Sequence, residues 1–185
     1  MDASRPLFGA ERPTRPKSYV VAHIDGGARG NPGPAGFGAV LADEQGRRVA
    51  ELSQYLGHRT NNYAEYAGLI GVLEYACREG HSNLEVRSDS ELLVRQMRGQ
   101  YKVKSPELRP LYERARELSR GLAWFAIEHV LREKNRDADR LANQAMDEGS
   151  GKPKLQEVMG VVRDGVVKLE GELPEGAKVR VRVVG

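Results

Sequence analysis

"YVVAHID", residues 19–25, is an apolar run that ends on a carboxylate, and "GGARGNPGPAGFGAVLAD", residues 26–43, follows it directly. Val, Ile and Tyr alternating with small or polar residues predict a strand over 19–25. "FGAVLAD" (37–43) and "RRVAELSQYL" (47–56) predict two more, with "EQG" (44–46) as the turn of a hairpin between them. Five glycines and two prolines separate the first strand from the second, and the reading takes Pro32–Gly38 as the stretch that turns the chain back. This is not a dinucleotide loop, because its glycines come in the wrong order and run into a strand instead of a helix. It lacks the Gly-Lys-Ser/Thr of a P-loop as well.

Downstream, Thr60 is placed to cap a helix from Asn61 to about Glu79, with Gly80 to stop it. "NLEVRSD" (83–89) reads as a strand and "SELLVRQMRG" (90–99) as a short helix. Pro106 suits the first turn of a helix running to about Arg120. "LAWFAIEHVL" (122–131) is a fifth strand, and Ala138–Glu148 a last helix. Strands that alternate with helices after an initial hairpin point to an α/β fold, a mixed five-stranded sheet flanked by helices.

The two ends differ in character. Residues 1–17 carry three prolines and no period, and read as a disordered basic arm. A main domain is expected over 18–148, a linker over 149–154, and a small C-terminal β element over 155–185. In that last segment Asp164-Gly165 is a strong hairpin signal, and "LPEG" turns into the alternating "KVRVRV". A lone hairpin is marginal in water, so residues 155–185 are expected to form a homodimer or to dock on the main domain.

The 185 residues have a net charge of +3. Residues 1–17 hold four basic and two acidic side chains and residues 152–185 seven and five, leaving 18 basic against 19 acidic between them. A middle segment so balanced would need clustered cations or metal ions to hold a polyanion. The chain has no apolar run of the roughly 18 residues that a membrane span needs, and the lone Cys77 rules out a disulfide framework. The expectation is a cytoplasmic protein with no membrane partner, and Cys77, among apolar neighbours, is expected to be buried.

Four acids stand out. Asp25 and Asp89 end strands, Glu65 lies within the first long helix, and Asp139 opens the last helix. At 100° per residue, Asn61 and Asn62 fall within about 60° of Glu65 on one face. Singly, each acid reads as solvated or capping. If the first and fourth strands are neighbours, however, Asp25 and Asp89 leave the sheet at one edge, where open α/β sheets bind ligands. Four acids together would raise one another's pKa values unless cations neutralise them. An oxygen-only donor set selects Mg²⁺, with Mn²⁺ as a substitute.

"IDGGARGNPGPAGFGAVL", "TNNYAEYAGLIGVLEYA", "VRSDSELLVRQM" and "HVLREKNRDADRLANQA" together resemble the type 1 ribonuclease H family, over about residues 18–148. The resemblance implies a ribonuclease-H-like mixed five-stranded sheet. It implies metal-binding acids at Asp25, Glu65, Asp89 and Asp139, holding two Mg²⁺ ions, and cleavage of the RNA strand of RNA/DNA hybrids to 3′-hydroxyl and 5′-phosphate ends. It also implies hybrid contacts from backbone at Gly27, Ala28, Arg29 and Gly30. Asn31, Asn61 and Asn62 match the minor-groove contacts, and Thr60 and Asn61 the DNA-phosphate pocket. On this reading the loop's glycines let backbone reach the 2′-hydroxyls that distinguish RNA.

The sequence departs from better-known members twice. "MRGQYKVKSPELRPLY" passes straight into the next helix with no basic handle, leaving Lys102, Lys104, the basic arm or the C-terminal segment to compensate. The loop that carries a product-release histidine in those members is the shorter "REKN" (132–135), where Arg132, Glu133 and Lys134 are the candidates; His129, in the strand, reads as structural. The C-terminal segment weakly resembles small β-rich antitoxin-like domains. Two other readings stay open: a hybrid-binding module with vestigial catalysis, and a nuclease of the same fold for other duplexes.

Overall fold

The computed structural model describes residues 14–150, 159–169 and 171. Five strands form one sheet: β1 (Val20–Ala28), β2 (Gly33–Asp43), β3 (Arg48–Arg59), β4 (Asn83–Ser88) and β5 (Trp124–His129). Four helices accompany them: α1 (Asn61–Arg78), α2 (Glu91–Met97), α3 (Arg109–Arg120) and α4 (Arg136–Gly149). The strand order is β3-β2-β1-β4-β5, antiparallel through the first three and parallel from β1 to β5. The mixed sheet expected from the sequence is therefore present.

The order of the strands follows from their connections. β1, β2 and β3 are joined by short turns and must pair antiparallel. β4 and β5 return through helices, and so lie parallel to β1. β1 alternates between fully and partly buried residues along most of its length. Val20, Ala22 and Ile24 enter a core with Leu69, Leu73, Leu84, Val86, Leu93 and Ile127 under α1, α2 and α3. β2 is buried on both faces along most of its length, with Ala39, Val40 and Leu41 among its covered residues. Its second cover is α4, which packs on the opposite face of the sheet, where Gly36 and Gly38 of β2 meet it.

Most boundaries agree with the sequence to within a residue or two, but β1 and β3 each run three residues further than expected, to Ala28 and Arg59, and β2 and α3 start elsewhere. β2 begins at Gly33, so the turn after β1 is only Arg29–Pro32. Pro34–Gly38 are strand residues paired with β3, and Ala35–Gly38 pair with Asp25–Ala28 of β1 as well. α3 begins at Arg109, with Pro110 in its first turn; Pro106 precedes the helix. β5 covers Trp124–His129, shorter than the apolar run that announced it. Thr60 does cap α1, its Oγ1 accepting from the Tyr63 N–H at 3.3 Å, and Gly80 follows with φ +74°. Cys77 is exposed, not buried: it follows the buried Ala76 on the outer side of the last turn of α1. His129 is also exposed, at the very end of β5, and so has no structural role in the core.

Of the expected N-terminal arm, residues 14–17 are described and 1–13 lie outside the described residues. Arg15 pairs with Glu85, a β4 carboxylate that is 0 % exposed, accepts a hydrogen bond from Arg87 Nε at 2.7 Å and pairs with the Arg87 guanidinium. Arg15 stacks on the Tyr19 ring at 5.1 Å. A carboxylate in so dry a place needs such partners.

Contacts along the chain group into two compact units, Met1–Pro153 and Lys154–Gly185. In the second, β6 (Gly160–Arg163) and β7 (Val166–Leu169) pair antiparallel about Asp164 (φ 50°) and Gly165 (φ 77°). Two successive positive φ values make the tight turn that suits a hairpin's twist. "LPEG" and "KVRVRV" lie outside the described residues. No helix among the described residues is long and apolar enough to cross a membrane.

Candidate active site

Parallel pairing of β1 with β4 ends at Ile24 opposite Ser88, so Asp25 and Asp89 lie side by side just past the end of that ladder, while Asp25 stays paired with Gly38 of β2. α1 brings Glu65 to this edge across one face of the sheet, and α4 brings Asp139 across the other. All four acids line one cleft of about 370 Å³, together with Gly26, Gly27, Ala28, Arg29, Asn61, Ser90, Arg132, Asn143 and Met146.

The electrostatics follow from this crowding. Asp25 is pushed up to about 7, first by burial and then by the charges of Asp89 and Asp139. Burial also raises Glu65 to about 7, against the opposing hydrogen bonds from Ser90 and Asn61. Asn61 donates to Glu65 Oε1 at 2.9 Å, and the Ser90 hydroxyl donates to Oε2. Asn135 donates to Asp89 Oδ1 at 3.2 Å and to the Ile24 carbonyl at 2.8 Å. Arg132 donates to Asp139 Oδ1 at 2.9 Å, and Asn143 to Oδ2 at 3.2 Å.

Each of Glu65, Asp89 and Asp139 thus has donors holding it, and among the described residues no three Asp, Glu, His or Cys side chains form a ready-made cage for an ion. The donor set nevertheless fits a hard divalent cation. It is carboxylate oxygen throughout, and the raised Asp25 and Glu65 reflect crowding and burial of negative charge that a cation would relieve.

The predicted hybrid-binding residues divide into two groups. Gly27, Ala28, Arg29 and Asn61 line the cleft with the acids, whereas Gly30, Asn31, Thr60 and Asn62 lie beyond its lining. Asn31 is tied to the first group, because its Oδ1 accepts from the Asn61 backbone N–H at 3.1 Å. Arg29 pairs with Asp147 of α4, and its backbone N–H donates to the Pro34 carbonyl at 2.9 Å. The turn, α1 and α4 are therefore joined around the cleft.

Other glycines of this stretch serve packing. A Cβ on Gly26 or Gly38 would lie under 3.0 Å from helix backbone, and one on Gly36 at 3.2 Å from Ala145 and Met146 side chains. These three glycines make room for helices; the turn itself requires Gly30, with φ +96°, and Gly33, where a Cβ would lie 2.0 Å from the Arg29 carbonyl oxygen.

Ser90 and Asn135 support the acids without any signal of it in the sequence. Ser90 stood at the start of a predicted helix, and in the structure it caps α2, accepting from the Leu93 N–H at 3.3 Å. Nothing in the sequence announced that the same hydroxyl donates to Glu65. Asn135, the last residue of the "REKN" loop just ahead of α4, makes no cap bond with its side chain and is 1 % exposed between Ile24 and Asp89.

Comparison with known proteins follows the same boundaries. Residues 23–145 match the family model described as reverse transcriptase-like. The chain is 46 % identical over 129 residues to ribonuclease HI of Halobacterium salinarum, covering 70 % of this chain and 65 % of that protein. It is 48 % identical over 129 residues to the bifunctional protein Rv2228c of Mycobacterium tuberculosis, but these span 69 % of this chain and only 35 % of that relative. Among solved structures, the ribonuclease H1 of Halobacterium salinarum superposes with a TM-score of 0.68 at 45 % identity, covering 70 % of this chain and 98 % of that one. LC11 ribonuclease H1 in complex with an RNA/DNA hybrid gives 0.68 at 44 % identity, covering 71 % and 99 %.

Proposed function

Since the chain belongs to the type 1 ribonuclease H family, we propose that it is an endoribonuclease that hydrolyses the RNA strand of RNA/DNA hybrids. The observation that carries this reading is the convergence of Asp25, Glu65, Asp89 and Asp139 on one cleft beside the Gly27–Arg29 backbone and Asn61. A relative 44 % identical to this chain has been solved with such a hybrid.

Asp25, Glu65, Asp89 and Asp139 would hold two Mg²⁺ ions, or Mn²⁺ in their place, which supply an activated water and neutralise charge on the phosphate. The residues of the chain do the rest. Ser90 and Asn61 hold Glu65 in one rotamer, and Asn135 holds Asp89. The backbone at Gly27–Gly30, with Asn31, Asn61 and Asn62, reads the minor groove and its 2′-hydroxyls, while Thr60 and Asn61 receive a DNA phosphate at the start of α1. Water adds to phosphorus and the P–O3′ bond breaks, leaving 3′-hydroxyl and 5′-phosphate ends. Of the three candidates for the missing histidine's part, we assign Arg132, because it alone of them lines the cleft, where it pairs with Asp139.

The test is cleavage of a labelled hybrid in Mg²⁺ by the wild type and by Asp89→Asn, beside matched RNA and DNA duplexes. Wild-type cleavage of the hybrid alone, abolished by Asp89→Asn, is expected. Near wild-type turnover by the variant would sink the mechanism, and binding without turnover by the wild type would favour a vestigial module.

A further inference from the structure

Asp25 has two glycine neighbours: Gly26 follows it in the chain, and Gly38 is its partner across the β1–β2 ladder. Neither has a positive φ, so neither is glycine for the sake of its backbone conformation. What both positions require is the absence of a side chain. A Cβ on Gly26 would lie under 3.0 Å from the Ala64 carbonyl carbon and the Glu65 nitrogen. A Cβ on Gly38 would lie under 3.0 Å from the Ala138 oxygen and the Ala142 nitrogen, which bracket Asp139.

Backbone is what stands in the way in each case, and it cannot rotate aside as a side chain can. Among the described glycines only these two would drive a Cβ that close to the backbone of a helix from another element. They do so on opposite faces of the sheet, and at the very turns that carry two of the acids.

We propose that Gly26 and Gly38 are positioning residues that set how closely Glu65 and Asp139 approach Asp25, one from each face of the sheet. The inference rests on the reading of the acids as one metal-binding group. An alanine at either position must push its helix back by roughly 1 Å to restore ordinary carbon–carbon contact. A misplacement of that size can cost about 100-fold in rate.

The experiment compares Gly26→Ala and Gly38→Ala with Leu73→Ala, a core truncation in α1 about two turns beyond Glu65. Metal-free crystal structures, Mn²⁺ affinity by calorimetry and hybrid cleavage in Mg²⁺ are measured on each. Both glycine variants are expected to show a displaced helix, weaker Mn²⁺ binding and a kcat about 100-fold lower at little-changed KM. Leu73→Ala should lose stability while keeping Mn²⁺ affinity and kcat.

Unmoved helices in the glycine variants would overturn the inference, as would displaced helices with undiminished Mn²⁺ affinity and kcat. If Gly26→Ala does not fold, Gly38→Ala decides from the other face; if neither folds, the glycines serve packing as a whole and the inference fails. A wild type that neither binds Mn²⁺ nor cleaves would instead refute the proposed function, and the helix displacement would still judge the spacing.

Discussion

Glu65 shows how much of this site depends on neutral neighbours. Asn61 and Ser90 donate to its two oxygens, and these bonds are what oppose the effect of burial. Replacing Ser90 by alanine removes one donor and the side-chain cap of α2 together. Cleavage is expected to fall about 10-fold, as for other groups that hold a metal ligand in place, and Ser90→Thr should restore most of it. Steady-state assays of the two variants check this; an unaffected Ser90→Ala would detach the serine from the site.

The same residues make stability depend on pH. Asp25 and Glu65 rise from ordinary values of 3.8 and 4.5 to about 7 in the folded chain. The folded state therefore holds its protons more tightly than the unfolded state. The stability this contributes is fully present below about pH 4 and is lost as pH rises through about 7. Thermal melts in a chelator should show Tm falling across that window on this account, and Asp25→Asn should flatten the fall. A Tm slope unchanged in the variant would count against the crowding of Asp25.

At the scale of elements, helix ends do two tasks at once. Thr60 caps α1 through the Tyr63 N–H, and Asn31 accepts the neighbouring Asn61 N–H, so the turn after β1 helps to close the start of the helix. Thr60→Ala is expected to cost about 1 kcal/mol, with Thr60→Ser close to neutral. Denaturant unfolding measures both. The cap was legible in the sequence because threonine before an amphipathic run has a local meaning. The link from Asn31 was not, since it joins residues 30 apart that only the fold brings together.

For the whole molecule, the division into Met1–Pro153 and Lys154–Gly185 leaves every residue of the candidate site in the first unit. A chain truncated after Pro153 is expected to fold and to cleave hybrids at the full-length rate. Circular dichroism and the hybrid assay test this, and a loss of hybrid affinity would assign a tethering role to the C-terminal segment. Its described hairpin leaves Val161, Val162 and Val166 at least half exposed.

The order of elements, the cap at Thr60, the hairpin at Asp164-Gly165 and the four acids could all be read from the chain before any folding. Each is a local matter: period, turn chemistry, or a polar residue at the end of an apolar run. What the glycines are for came from the packed molecule, because the lack of a Cβ has no meaning until a helix arrives in its place. So did the burial of Glu85 with Arg15 and Arg87, and the exposure of Cys77, since both depend on which face is covered. Packing also made Ser90 and Asn135 supports for Glu65 and Asp89, because hydrogen bonds between distant segments exist only once the sheet and its helices have closed.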